Sequence, residues 1–479
     1  MESTLYSKIA NQIIDQIRSG IFKPGDKLPS VRSLSRKRAV SISTILTAYG
    51  ILEDQGLVEV RPKSGYYVRR VPVHEHRPPA ISQRTSAPRT VATPQRVMEV
   101  MRDSSSADFI SFAAALPGAD FPVIHQLKRI FARVIRNAPF LGIGYDSPKG
   151  SEPLRRQLAR RALDAGILCS PDEIITTSGC QSAIGLCLRA LTSAGDIIAV
   201  ETPCYYGLLQ QIEAYGLKAI EIPSDAEKGM SIDALELAFE QWPIKVVLSI
   251  PSYSNPLGTL MPDDHKQQLV KLIEQFDVPM IEDDIYGDLG YQDGRPPAVK
   301  SFDRHGRVLL CSSTSKTLEP QLGVGWVIPG RYQEQIEYQK FINSVSISRL
   351  PQLAVAEMLD HGGYDRHLRL ARETYRQRRD RLIDLVGQHF PEETRISRPQ
   401  GGFVAWIQLP RGASALQLYL DAREEGILIS PGELFSANSG KYQSSIRLTY
   451  ADAWTPSRIA AVGTLGALVA RQLERTGID

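Results

Sequence analysis

The chain has 479 residues, 42% hydrophobic and 23% charged, which is a globular composition and too long for one ordinary core. No apolar run approaches the ~18 residues of a membrane helix, and MESTLYSKIA does not read as a secretory signal; five cysteines without a CxxC pair argue against a disulfide framework or a zinc site, so the expectation is a cytoplasmic, metal-free protein. The net charge of +3 divides unevenly: residues 1–70 hold twelve Lys/Arg against six Asp/Glu, or +6, leaving −3 on the other 409.

Leu5, Ile9, Ile13 and Ile17 recur every four residues and predict an amphipathic helix, ended by Gly20 and the Pro24-Gly25-Asp26 turn. Ser30 reads as the N-cap of a short basic helix, VRSLSRKR, and a third helix runs over about 41–54 until Gly56. LVEVRPKSGYYVRR then reads as two strands around a Pro-Lys-Ser-Gly turn. Three helices and a basic hairpin predict a winged helix-turn-helix whose third helix enters the major groove of double-stranded DNA. Arg36, Lys37, Arg38 and Lys63 supply charge for phosphates, and Ser41, Ser43 and Thr44 present short polar groups at the start of the recognition helix.

The stretch FKPGDKLPSVRSLS…TAYGILEDQGLVEVRPKSGYYV resembles the DNA-binding domain of the GntR family. The resemblance covers residues 1–70 and implies that Arg32 and the 41–44 turn touch DNA, with Lys63 and Gly65 at the wing tip. One slot departs from the family, which commonly has a guanine-reading arginine where this chain has Ile42. Residues 71–105 follow with five prolines and few large apolar side chains, and read as an extended linker.

Residues 106–479 alternate apolar strands (197–201, 245–250, 278–282, 307–311) with helices (181–193, 206–214, 232–240, 264–276). The pattern predicts an α/β sheet covered on both faces, with ligands at its strand ends. Lys316 stands just beyond one strand end, where burial would free its amine for a Schiff base. Asp283, with Asp284 as the competing carboxylate, ends another strand three residues before Tyr286, and could hold a heterocyclic nitrogen protonated. Asn255 in SNPLG could donate to a ring hydroxyl, Tyr205 and Tyr206 offer aromatic faces, and Ser178-Gly179-Cys180-Gln181 opens a helix suited to phosphate.

SGCQ, PxYY, NPLG, DDxY and SxSK, in that order, resemble the fold-type I, class I/II aminotransferase pattern, which binds pyridoxal 5′-phosphate (PLP). The resemblance implies that Lys316 forms the internal aldimine, Asp283 pairs the pyridine nitrogen, and Asn255 and Tyr286 hold the ring 3′-oxygen. It implies that Tyr205 stacks on the ring, and that Ser178, Gly179, Cys180, Ser313 and Ser315 bind phosphate. Tyr145 matches a tyrosine that family dimers lend to the neighbouring subunit, and Arg447 one that clamps a substrate carboxylate. The run after the lysine departs from the family: SKTLEPQLGVGW has Gly323 where a phosphate-binding arginine is usual and Gln321 where glycine is usual.

Reader, linker and aminotransferase-like body together resemble the MocR subfamily of transcription regulators. That implies a homodimer that binds operator DNA and senses PLP or its amino-acid or amine adducts. The competing expectations are a working aminotransferase with a DNA-binding appendage, and a structural dimerisation domain that binds no ligand.

Overall fold

The computed structural model describes residues 5–18, 21–23, 25–54, 57–61, 64–68, 78–79, 87–91, 96–104, 106, 108–137, 145–438 and 440–476. The chain divides into two compact units, Met1–Glu75 and His76–Asp479.

In the first unit, helices Leu5–Arg18, Val31–Arg38 and Ile42–Asp54 precede an antiparallel hairpin of Val58–Arg61 and Gly65–Val68. Ile9, Ile13, Leu34, Ile45, Tyr49, Leu52, Val58 and Val68 form its buried core. The first helix turns a slightly different face inward than its four-residue spacing predicts: Ile14 is buried and Leu5 exposed, because 3.6 residues per turn rotate a strict i, i+4 row around the axis. Ser30 caps the second helix by accepting from the Ser33 amide at 3.2 Å. The turn to the third helix passes through Ala39 in the left-handed region (φ 52°), a conformation costing a non-glycine residue about 1–2 kcal/mol. Ser41 opens the third helix, accepting from the Thr44 amide at 3.1 Å.

The second unit is built on a mixed sheet. Its strands run in the spatial order Arg89–Thr90, Lys218–Asp225, Ile197–Thr202, Ile244–Ser249, Met280–Asp283, Val308–Ser313, Gly325–Ile328, Ile175–Thr177. From Lys218–Asp225 to Val308–Ser313 neighbours are parallel, and Gly325–Ile328 runs against both of its neighbours. These strands are apolar on both faces, as a sheet sandwiched between helices requires, and they feed two cores. A smaller four-stranded sheet, with Val404–Gln408 and Ser445–Thr449 at its centre, packs with the helices Gly363–His389 and Pro456–Thr476 in a third.

Part of the segment expected to be linker belongs to this unit. Arg89–Thr90 pairs with Lys218–Ala219 at the sheet edge, and Arg96–Asp103 is a helix that buries Val97 and Val100. Two valines three residues apart give one helical turn an apolar footing, which is enough to dock it.

Candidate functional site

Because the central strands are parallel, their carboxyl ends share one edge of the sheet. Thr177, Thr202, Ser249, Asp283 and Ser313 end their strands there. The residues just beyond line a cavity of about 270 Å³, bounded by Ser178, Gly179, Cys180, Gln181, Tyr205, Tyr206, Ile250, Asn255, Asp283, Ile285, Tyr286, Ser313, Ser315 and Lys316. Met101 and the segment Ala114–Leu116 complete the wall.

Lys316 Nζ donates to the Ala115 carbonyl at 2.6 Å. Burial, helped by the nearby Arg447 guanidinium and opposed by Asp283, brings its ammonium down to about 8. Asp283 Oδ1 accepts from the Cys180 thiol and from the Ile285 amide, both at 3.2 Å. Burial pushes the Asp283 carboxyl up to about 6 against those two donors. The adjacent Asp284 sits on the opposite side of the strand's alternation: it is bound by Arg295, which also reaches Asp288, and lines a separate small cavity. Of the two carboxylates, Asp283, the one the resemblance assigns to the ring nitrogen, lines the main cavity and Asp284 does not.

Asn255 Oδ1 and Tyr286 Oη are buried without a hydrogen-bond partner among the described residues. Both belong to residues lining the cavity, and orphaned buried polar atoms are costly unless a ligand satisfies them. Tyr205 packs against Tyr206 with ring centroids 4.7 Å apart. The helix Cys180–Leu191 starts after Gly179, whose φ of 135° needs a glycine, and its leading N–H groups have no intrahelical acceptor. A carboxylate for a ring nitrogen, two orphaned polar groups, an aromatic face, an amine and an anion-binding helix start fit PLP.

Arg447 is wholly buried on the strand Ser445–Thr449, behind the cavity wall. Its Nη2 donates to the Ala113 carbonyl and to Ser430 Oγ at 2.9 Å, while Nε and Nη1 have no partner among the described residues. Tyr145 is 83% exposed and does not line the cavity of its own chain. Gly323 takes φ +57°, and a Cβ there would meet only the Ser178 carbonyl oxygen, at 3.7 Å, an ordinary van der Waals contact.

The sequence reading missed one stretch of the wall and two buried carboxylates that do not line it. Ala113–Leu116 contributes backbone carbonyls, which leave no side-chain signal. Glu201 lies buried near Cys204, its Oε1 accepting from the Ile250 amide at 2.8 Å, and burial pushes it up to about 8; an acid inside the apolar run IIAVE was the available clue. Glu221 is likewise buried and binds Lys441 and Ser436. A larger open groove of about 600 Å³ lies elsewhere, where Arg133, Arg156 and Arg160 are already paired with Glu357, Glu152 and Asp360.

On the first unit, Arg32, Arg36, Lys37, Arg38, Ser41 and Ser43 are exposed and Thr44 half-buried. Ile42 is 49% exposed, an apolar side chain on the presented end of the third helix. Ser41 Oγ bonds to both Ser43 and Thr44 hydroxyls, so the three form one polar cluster. At the hairpin tip, Gly65 pairs with Arg61, whose guanidinium lies 4.3 Å from the Tyr67 ring centroid. Lys63 lies outside the described residues.

Residues 141–460 match the family model for class I and II aminotransferases, and residues 5–68 match that for bacterial regulatory proteins of the gntR family. The chain is 38% identical over 473 residues to YjiR of Escherichia coli strain K12, an uncharacterized HTH-type transcriptional regulator, spanning 98% of this chain and all of that one. Among solved structures, the multiple substrate aminotransferase of Thermococcus profundus superposes with a TM-score of 0.74 at 28% identity, covering 80% of this chain and 96% of that one. The α-aminoadipate aminotransferase LysN of Thermus thermophilus, complexed with N-(5′-phosphopyridoxyl)-L-leucine, gives 0.73 at 27%, with 80% and 96% covered.

Proposed function

Because the chain belongs to the class I and II aminotransferase family and carries a GntR-type helix-turn-helix DNA-binding domain at its N-terminus, the order of MocR-type regulators, we propose that it is a transcription regulator whose large unit senses PLP, alone or joined to an amino acid or amine. The observation that carries this reading is the convergence of Lys316, Asp283, Asn255 and Tyr286 on one cavity in a chain that also holds a DNA reader.

When bound, PLP supplies an aldehyde for an amine and a ring that withdraws electrons. The chain's own residues explain how it would be held. Lys316, brought down to about 8, presents a partly neutral amine near neutral pH. Asp283 offers a carboxylate oriented by Cys180 and Ile285. Asn255 and Tyr286 have polar atoms to spare, Tyr205 gives a face, and the amides after Ser178 with Ser313 and Ser315 take the phosphate. Arg447, with two unpaired N–H groups, is suited to a carboxylate. With Gly323 in the usual arginine slot, phosphate is held by neutral donors and the cavity releases PLP readily, which suits a sensor.

The reader of residues 1–70 would grip phosphates through Arg32, Arg36, Lys37, Arg38 and Lys63 and read bases through the Ser41–Ser43–Thr44 cluster, with Gly65 at the wing tip. The stretch that follows leads into the effector unit, which takes in the strand Arg89–Thr90 and the helix Arg96–Asp103. We further propose a homodimer acting on cytoplasmic DNA, supported by the exposure of Tyr145 and of Tyr338, Phe341 and Ile342 on one helix. No helix of the described residues is long and apolar enough to cross a membrane. The test is a visible spectrum with PLP for wild type and Lys316→Ala, run beside a footprint on DNA flanking the gene and a transamination panel. A PLP band lost in Lys316→Ala, together with a specific footprint, supports the reading; robust turnover without a footprint favours an enzyme.

A further inference from the structure

Two cations of the cavity region are held by one short piece of backbone. Lys316 Nζ donates to the Ala115 carbonyl at 2.6 Å, and Arg447 Nη2 donates to the Ala113 carbonyl. Ser430 Oγ closes a triangle, accepting from Arg447 at 2.9 Å and donating to Ala113 O at 3.0 Å. The segment is pinned at both ends. Phe112 donates to Leu428 O at 2.8 Å and accepts from the Thr449 amide at 2.9 Å. Gly118 donates to Tyr375 Oη at 3.1 Å, and any Cβ there would collide with Ala451 O at 2.4 Å. Between these pins lie Ala113, Ala114, Ala115, Leu116 and Pro117, three of them alanines with almost no side-chain volume to repack. Leu116 is half out in solvent.

The guanidinium geometry makes this arrangement consequential. A carboxylate can fork an arginine either side-on, through Nε and Nη2, or end-on, through Nη1 and Nη2. Both forks use Nη2. Here the two Nη2 hydrogens are taken by Ala113 O and Ser430 Oγ, whereas Nε and Nη1 are unpaired. The Ala113 carbonyl therefore stands where one oxygen of a carboxylate would lie.

We propose that Ala113–Leu116 is an autoinhibitory strap, displaced when a ligand carboxylate forks Arg447. This rests on the cavity reading above and extends it to the effector's chemistry: a primary amine without a carboxylate leaves Arg447 tied to the strap, and an α-amino acid does not. The carboxylate at Arg447 removes the donor to Ala113, whereas the amine of either ligand only exchanges for the Lys316 amine on bound PLP and returns that amine free, so the carboxylate is what releases the strap.

Hydrogen exchange of the peptide 110–120 in the full-length protein tests this. Without ligand, Arg447→Gln removes the Nη2 donor and is expected to speed exchange of that peptide by about tenfold, with Ser430→Ala giving a smaller increase in the same direction. If both variants fold with wild-type circular dichroism and neither changes the exchange, the strap is overturned. With PLP present, L-alanine and L-phenylalanine are expected to loosen the peptide in wild type and not in Arg447→Gln, and ethylamine and phenethylamine to leave it as PLP alone does. Equal loosening by amines and amino acids also overturns it. PLP absorbance recorded on the same samples reports the cavity reading separately, since the ligand-free variants test the strap whether or not PLP binds.

Discussion

Cys180 Sγ donates to Asp283 Oδ1 across 3.2 Å, joining the first residue of the helix Cys180–Leu191 to the carboxylate that ends the strand Met280–Asp283. The two residues come from segments a hundred positions apart, and the contact fixes the carboxylate's orientation before any ligand arrives. Asp283→Asn removes the charge and is expected to weaken PLP binding about 10–100-fold, the range of one missing charge-assisted bond. Cys180→Ala removes only the orienting donor, and a weakening of less than about tenfold is expected. Titration followed by visible absorbance gives both numbers.

Gly323 leaves space for a side chain beside Ser178, though at φ +57°. Gly323→Arg is expected to tighten PLP binding by about 10–100-fold, since a charged partner for phosphate is worth ~1.5–3 kcal/mol, and to lower folding stability by the about 1–2 kcal/mol that a left-handed arginine costs. Binding unaffected by the change and already sub-micromolar in wild type would show that phosphate needs no added cation here.

Glu201 supplies a pH test of the fold itself. Burial raises its carboxyl from an ordinary 4.5 to about 8. Below 4.5 both folded and unfolded chains are protonated, so the group contributes nothing differential. Between 4.5 and 8 the unfolded chain gives up the proton that the folded chain keeps, so stability falls as pH rises through that window. Glu201→Gln removes this slope. Its gain over wild type should be near zero at about pH 4.5 and grow to about 1–3 kcal/mol at about pH 8, read as a widening difference in Tm.

On the reader, replacing Arg36 or Lys37 with alanine should weaken DNA binding across all sequences and lower the slope of log affinity against log salt by about 0.9 for each phosphate that the side chain had neutralised. Ile42→Arg, by contrast, should change which operator is preferred, by about 1–3 kcal/mol at the base pair it meets. Fluorescence anisotropy at several salt concentrations separates the two behaviours.

What was legible in the sequence follows from what leaves a side-chain signature. The strand ends around Lys316, Asp283, Asn255 and Ser178 were readable because buried apolar runs stop abruptly at polar residues, and a parallel sheet brings such stops together. The choice of Asp283 over Asp284 came from the resemblance and was not readable from the strand pattern, because a one-residue step reverses the face and only the packed sheet says which face holds the cavity. The helix Arg96–Asp103 was hidden in a proline-rich, polar stretch, since two buried valines settle its place through tertiary contact. The strap was invisible for a different reason: its working groups are peptide carbonyls, which every residue carries.

The central claim is that ligand at Lys316 governs the grip on DNA, which requires the ligand to favour one arrangement of the chain over another. The direct measurement is the affinity of full-length protein for its footprinted operator, with and without saturating PLP, in wild type and Lys316→Ala. The account predicts a change of about 5–150-fold in wild type and none in Lys316→Ala. Identical operator affinities with and without PLP in wild type, at concentrations where its absorbance shows the site filled, would contradict it.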